Sequence, residues 1–116
     1  MKPVVFICDW KPIFHYEFIR PFMDIDTKSR CELPVSLEGL AGVIVHNWHD
    51  PEGLAKYAQR CASENVFLIV QYTSDFARET IRELVFPPVL PKRVSFVKGH
   101  DEIVDRVKEY TLSLAE

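Results

Sequence analysis

The stretch from Gly42 to Val70 reads GVIVHNWHDPEGLAKYAQRCASENVFLIV, and it decides the fold class. It opens with the apolar run Gly42–Val45 and closes with a second run, Val66–Val70. Neither run alternates with polar residues, which is typical of strands that are buried on both faces. A segment long enough for a helix separates them, so the stretch predicts two parallel strands joined by a crossover helix.

The crossover helix is predicted over residues 51–62. Asp50 is well placed as its N-cap, and Pro51 suits the first helical position because proline has no backbone N–H to leave unpaired. Apolar side chains recur there at the spacing i, i+3, i+4, i+7, which predicts one buried helical face. These side chains belong to Leu54, Tyr57, Ala58 and Cys61.

The same alternation extends to both sides of this stretch. Val4–Cys8 and Val94–Val97 are two further apolar runs, and amphipathic helices are predicted over residues 75–85 and 101–114. In the first of these helices, pairs of residues that recur every four positions predict the inner face. These pairs are Phe76 and Ala77, Thr80 and Ile81, and Leu84 and Val85. The sequence therefore predicts one α/β domain over residues 1–116, a three-layer αβα sandwich around a central, mostly parallel, five-stranded sheet.

Residues 11–41 form the irregular part of the prediction. Three phenylalanines four residues apart predict one face of a short helix that two prolines confine. A weaker strand at Cys31–Val35 would be the fifth. Residues 36–40 are too few for a full crossover helix to the next strand, so either the second strand is displaced or its crossover helix has shrunk to a turn. The phenylalanines are Phe14, Phe18 and Phe22, and the prolines are Pro12 and Pro21.

Composition and charge exclude several classes of protein. The chain has 116 residues, of which 47% are apolar and 27% charged, as in an ordinary globular domain. Its net charge of −3 provides no basic field for a nucleic acid. The longest apolar runs fall far short of the roughly 20 residues that a membrane span needs, so neither nucleic acid nor membrane is an expected partner.

The cysteines indicate the compartment. Their number, three, is odd, and no two are spaced as C-x-x-C. A small secreted domain would carry an even, dense set, and the N-terminus lacks the features of a signal peptide. We therefore expect a cytoplasmic protein in which Cys8 and Cys61 are buried and Cys31 is inert.

Polar residues follow each predicted strand and form the candidate site. Because ligands of parallel α/β sheets bind at the carboxyl ends of the strands, these residues are expected at one edge. Some have a plainer role as helix caps, notably Asp50 and the cluster at residues 73–75. The candidate site consists of Asp9, His46, His49, Thr73 and Lys98.

The pair His46 and His49 has the spacing of a metal motif, but it lies in a strand-to-helix loop, where spacing carries little geometric information. A zinc site needs three or four converging ligands, and because the neighbouring sequence supplies no third one, Asp9 or His100 would have to provide it. Glycine-rich phosphate loops and nucleophile motifs are also missing from the sequence. We therefore expect no metal and no cofactor.

The segment Phe86–Pro91 alternates prolines with apolar side chains just before the last strand. One interpretation is a stiff connector whose Val89 and Leu90 cover the edge of the sheet. The other is an exposed apolar surface, formed by the same two residues, for a partner protein.

With its strands in place, the chain resembles a response-regulator receiver domain. In that family acidic residues end strand one, a phosphoacceptor aspartate ends strand three, a Ser or Thr ends strand four and a Lys ends strand five. Asp9, Thr73 and Lys98 match three of these positions. The segment from Gly42 to Leu54 also resembles the third strand of the family and the loop after it.

The chain departs from the family at the reacting positions. His46 stands in place of the phosphoacceptor aspartate, and Cys8 or Trp10 in place of the second acidic residue. The resemblance therefore implies a degenerate, pseudo-receiver domain that is not phosphorylated on aspartate. Such a domain would act through contact with another protein or with a second copy of itself, on a surface that corresponds to residues 75–114.

A different function stays open at this stage. The chain could be a small flavodoxin-like enzyme or a nucleotide- or nucleoside-binding protein, similar to deoxyribosyltransferase or TIR-like families, with its site at the same edge of the sheet. Those families use a catalytic glutamate, for which Glu52 and Glu79 are the nearby candidates. In a further alternative, His46 itself carries a phosphoryl group, since histidine can act as a nucleophile.

Overall fold

The described part of the chain contains five strands and four helices, which alternate except that no helix lies between the second and third strands. The computed structural model describes residues 2–11 and 13–115, apart from the side chains of residues 13, 114 and 115. The strands are β1 (Val4–Cys8), β2 (Asp24–Ile25), β3 (Gly42–His46), β4 (Phe67–Gln71) and β5 (Val94–Val97). The helices are a 3₁₀ helix (Ile13–Ile19), α1 (Pro51–Ser63), α2 (Asp75–Leu84) and α3 (His100–Ala115).

All five strands are parallel and lie in the order β2-β1-β3-β4-β5. The central strands are buried on both faces, which explains why their sequences are continuously apolar rather than alternating. The predicted α/β fold is confirmed, and the architecture is consistent with a flavodoxin-like fold. The strand order reverses between β1 and β3, so the crevice between the carboxyl ends of these two strands is the topological switch point.

The helices cover both faces of the sheet and complete the three predicted layers. One apolar core packs α1 and α2 against the sheet, with Leu54 and Ala58 fully buried. The other packs the 3₁₀ helix and α3 against the opposite face, where Ile103 and Val107 are fully buried. The N-cap of α1 is as predicted, because the Asp50 carboxylate accepts a hydrogen bond from the backbone N–H of Gly53 at 3.1 Å.

The second strand is not at Cys31–Val35, where a weak strand was predicted. It is the two-residue β2, which the backbone of β1 pairs directly: the N–H of Asp24 donates to the carbonyl of Pro3 at 2.9 Å. Residues 26–41 contain neither helix nor strand. The segment around Pro34 lies against α1 instead, since the Tyr57 hydroxyl donates to the Pro34 carbonyl at 2.5 Å.

The predicted face of phenylalanines is also wrong. The 3₁₀ segment is kinked at Tyr16, whose φ of −109° and ψ of 16° are not helical, so no single face runs along it. Tyr16 and Ile19 are the residues of this segment that are shown to be buried. Phe14 is exposed, while Phe18 and Phe22 are only partly buried at the margin of the core.

Helix α2 buries only one side of its predicted inner face, since Ile81 and Val85 pack partly against the core. Phe76 and Leu84, expected on the inner face, are both 79% exposed, and the helix has no fully buried residue. Arg78 and Arg82, expected outside, are partly buried. Arg78 donates to the carbonyl of Tyr72 at 3.1 Å, and Arg82 donates to two carbonyls of the following loop. Both arginines therefore lie against the loops that flank α2.

No helix in the described ranges is long and apolar enough to cross a membrane.

The cysteines differ in accessibility. Burial raises the pKa of the Cys8 and Cys61 thiols to about 12, whereas Cys31 is only partly buried. Because the thiolate is the reactive form, an alkylating reagent at mildly alkaline pH should label Cys31 well before the other two in the native chain. Peptide mass spectrometry after timed labelling measures this order. Labelling of all three at one rate under native conditions would contradict the packing.

Candidate functional site

A small cleft lies at the topological switch point. Its volume is about 150 Å³, and it is formed by the residues that end β1 and β3 together with one residue of the irregular segment. The lining residues are Cys8, Asp9, Trp10, Cys31, His46, Asn47, Trp48 and His49. Three of the predicted site residues, Asp9, His46 and His49, therefore meet in one cleft.

Asp9 is the buried anion of this cleft, with 6% of its surface exposed. Its carboxylate accepts hydrogen bonds from the Tyr16 hydroxyl and from the backbone N–H of Lys11, the latter at 3.1 Å. Nδ1 of His46 lies 3.4 Å from Oδ1 of the same carboxylate. A buried carboxylate is tolerated when its oxygens are paired in this way, so these partners hold Asp9 in a fixed position.

His46 is held in its neutral form by its surroundings. Burial lowers the pKa of His46, and the nearby Lys11 and His100 lower it further, while the Asp9 carboxylate opposes the shift. Nδ1 is the imidazole nitrogen that faces the Asp9 carboxylate, so we assign the proton of the neutral ring to Nδ1. The other nitrogen, Nε2, is then a hydrogen-bond acceptor.

This lowered pKa predicts a pH dependence of stability. The folded imidazole has a pKa below the ordinary value of 6.5, so the unfolded chain binds more protons as the pH falls through 6.5. Stability that is present above pH 6.5 is therefore lost as the pH falls through the folded pKa. Urea titrations at about pH 7.5 and about pH 5.5 should show a smaller loss in His46→Gln than in the wild type. An equal loss in both proteins would mean that His46 does not contribute.

The tryptophans form the walls of the cleft. Trp48 packs partly against the core beneath α1, and its carbonyl accepts a hydrogen bond from the Tyr72 hydroxyl at 3.0 Å. Its ring lies 4.5 Å from the ring of His49. Trp10, by contrast, is 84% exposed at the rim. The cleft thus has one anchored aromatic wall and one open one.

Thr73 does not line the cleft but is linked to it. Its hydroxyl accepts a hydrogen bond from the Asn47 side-chain amide, and its backbone N–H donates to the side-chain oxygen of Asn47, both at 3.0 Å. Asn47 has φ 49°, a left-handed conformation that asparagine adopts more readily than most residues. Of the predicted caps at residues 73–75, Ser74 is the one that accepts from the backbone of α2.

Lys98 lies apart from the cleft. It lines a shallow polar hollow of about 530 Å³ with Gln71 and the first turn of α3. Its ammonium group lies 3.7 Å from Asp75, whose carboxylate also bonds Arg78 at 2.5 Å. The Arg78 hydrogen bond and the charge of Lys98 lower the pKa of Asp75. Lys98 is therefore paired with α2 rather than with Asp9 or His46.

The ligand sets considered from the sequence are not assembled. Among the described residues, no group of three or more His, Cys, Asp or Glu side chains is placed to hold a metal ion. Glu52 and Glu79, the candidate catalytic glutamates, are exposed on their helices, and neither lines the cleft. Tyr16 was not predicted as a site residue, and the structure adds it as the hydrogen-bond partner of Asp9.

The loop residues proposed as a partner surface separate into two roles. Val89 is 84% exposed, whereas Leu90 packs partly against the core next to α2.

No known protein-family model, curated protein or solved structure matches the chain.

Proposed function

We propose that the chain is a non-catalytic, receiver-like regulatory module that acts through contact with another protein or a second copy. The observation that carries this proposal is the contact face, defined as the exposed side chains of Phe76, Leu84 and Val89. Single exposed apolar residues are normal on any protein, but here they belong to one helix and the loop that follows it.

The rigidity of this region supports a role in recognition. The Arg82 guanidinium donates to the carbonyls of Pro87 and Pro88, at 3.0 and 2.9 Å. The buried Phe86 packs edge-on against Phe96, with ring centroids 4.9 Å apart. A loop fixed in this way loses little conformational entropy when it binds, so more of the contact energy is available for affinity.

The charge of the face favours a particular partner. Glu79 and Glu83 are exposed on α2 at helical positions between Phe76 and Leu84. A surface with apolar side chains and a basic rim would complement this pattern. In a second copy, the same carboxylates would oppose each other if the two helices met face to face.

The residues that match the receiver family support a role without phosphoryl transfer. The Asp9 carboxylate already accepts hydrogen bonds from Tyr16 and Lys11, and Lys98 is paired with Asp75. With His46 in place of the phosphoacceptor aspartate, the expected chemistry has neither its nucleophile nor an available acidic neighbour. The retained scaffold would then serve to present a surface.

The test replaces the contact face without disturbing the core. A triple variant, Phe76→Ala, Leu84→Ala and Val89→Ala, is compared with a control that carries Val35→Ala and Leu112→Ala, two exposed residues outside the face. Leu90 is left intact because its truncation would remove core contacts. Each substitution should change the free energy of unfolding by no more than about 0.5 kcal/mol, which thermal melts can verify.

Binding is then measured in the cell that makes the protein. A tagged chain is co-expressed with an untagged copy, and captured proteins are quantified by mass spectrometry, so that self-association and foreign partners are both detected. We expect at least one protein to be retained by the wild type and the control about tenfold or more over the contact-face variant, since one central apolar residue alone contributes about 1–2 kcal/mol. Identical capture by all three chains would refute the proposal.

A further inference from the structure

Both tryptophans of the chain lie in the switch-point cleft. Trp48 is anchored through its packing and its carbonyl, while Trp10 leaves most of its indole in solvent. An exposed indole is unusual, because tryptophan carries the largest apolar surface of any side chain and gains most from being covered. A flat ring placed in the cleft would cover it.

His46, which lines the cleft, supplies a hydrogen-bond acceptor. Tyr16 and Lys11 fix the Asp9 carboxylate, and the carboxylate faces Nδ1 of His46 at 3.4 Å. This arrangement orients the imidazole and leaves Nε2 with its lone pair for a ligand. A ligand that meets it must present an N–H or O–H donor.

The size and position of the cleft further limit the class of ligand that can bind there. The crevice at the topological switch point is where open α/β sheets bind ligands. A volume of about 150 Å³ is well below the roughly 300–1,000 Å³ of pockets that enclose drug-sized molecules. It suits one planar ring, with any remaining part of the ligand extending past Trp10.

We propose that this cleft binds a planar nitrogen heterocycle of the nucleobase class. The ring stacks against Trp48 and Trp10, and a ring N–H donates a hydrogen bond to Nε2 of His46. Stacking on aromatic side chains is available to every nucleobase, so the N–H is what selects among them. The site is separate from the contact face, since none of the residues of that face lines the cleft.

The test compares two rings that differ in the donor. Uracil has ring N–H groups, and 1,3-dimethyluracil has the same ring without them. Because the only two tryptophans line the cleft, tryptophan fluorescence reports on it directly, and saturation-transfer NMR gives the affinities in variants that lack one indole. We expect uracil to bind saturably. We expect 1,3-dimethyluracil to bind about fivefold or more weakly than uracil, because it cannot make the hydrogen bond to His46.

Matched variants locate the ring. Trp10→Ala should weaken uracil binding about fivefold or more, because one stacking contact is lost, whereas Phe76→Ala should leave it unchanged. Both residues are exposed, so neither variant should lose its fold, and a thermal melt checks this. The proposal is overturned if uracil fails to bind, if dimethylation does not weaken binding, or if Trp10→Ala binds as tightly as the wild type. If uracil fails to bind and Trp10→Ala lowers protein capture, Trp10 belongs to a protein contact instead.

Discussion

Replacing Gly42 with alanine should lower the free energy of unfolding by about 1–3 kcal/mol or more, the range for overpacking a core. Gly42 begins β3, and a Cβ atom there would overlap the ring of Phe67. That ring is fully buried and packs against Tyr110, with centroids 5.5 Å apart, so it has little room to move aside. Either the strand or the ring must shift, and β3 is a central strand of the sheet.

Gly99 provides the control. A Cβ atom at Gly99 would meet no atom within 4 Å, and its backbone does not have a positive φ that would strain an alanine. Gly99→Ala should therefore melt close to the wild type, while Gly42→Ala melts several degrees lower. If the two variants melt together, the close approach of Phe67 to β3 is wrong.

Replacing Asp9 with alanine should destabilise the chain by about 2 kcal/mol or more. The substitution leaves the Tyr16 hydroxyl and the backbone N–H of Lys11 without their acceptor. A buried donor left unpaired costs about 1–3 kcal/mol, which applies to the Tyr16 hydroxyl, while the part-buried hydrogen bond of Lys11 adds a smaller loss. Urea denaturation followed by circular dichroism gives the difference.

Two further variants separate the causes. Asp105→Ala removes an exposed carboxylate of α3 and should change stability by less than about 0.5 kcal/mol. Tyr16→Phe removes one hydrogen bond to a charged acceptor and should cost about 1.5–3 kcal/mol, less than Asp9→Ala. Equal stability of Asp9→Ala and Asp105→Ala would mean that Asp9 is not the fixed anion described above.

The strands could be predicted because burial on both faces leaves a strong signal in the sequence. Val4–Cys8 and Val94–Val97 have the bounds that their apolar runs predict. The helices followed in the same way from their periodicity and, for α1, from the cap at Asp50. The signals for these strands and helices lie in the local sequence and do not depend on how the sheet is assembled.

The irregular segment could not be predicted because tertiary pairing decides it. β2 has two residues, too few for any pattern, and it exists because the backbone of β1 offers partners to Asp24 and Asp26. The exposure of Phe76 and Leu84 on α2 could not be predicted either. Arg78 and Arg82 find carbonyls to satisfy, and the hydrophobic periodicity of that helix contains no sign of this.

The candidate site was predictable as a location and less so as a set of residues. Strand order places Asp9 and His46 side by side at the switch point, as the polar strand ends suggested. Thr73 and Lys98 follow their strands as expected, but Thr73 is hydrogen-bonded to Asn47 and Lys98 is paired with Asp75. The spacing of strand ends gives the edge of the sheet on which a residue lies, while side-chain partners depend on the whole fold.

Oxidative footprinting of side chains tests the central proposal, the contact face, most directly. Hydroxyl radicals modify exposed Phe and Leu, so the chain is labelled once after purification and once in the cell extract where its partners are present. We predict that Phe76 and Leu84 become protected in the extract, while the exposed Leu112 and Phe14 keep their reactivity. Equal modification of all four residues in both preparations would contradict a function that depends on this face.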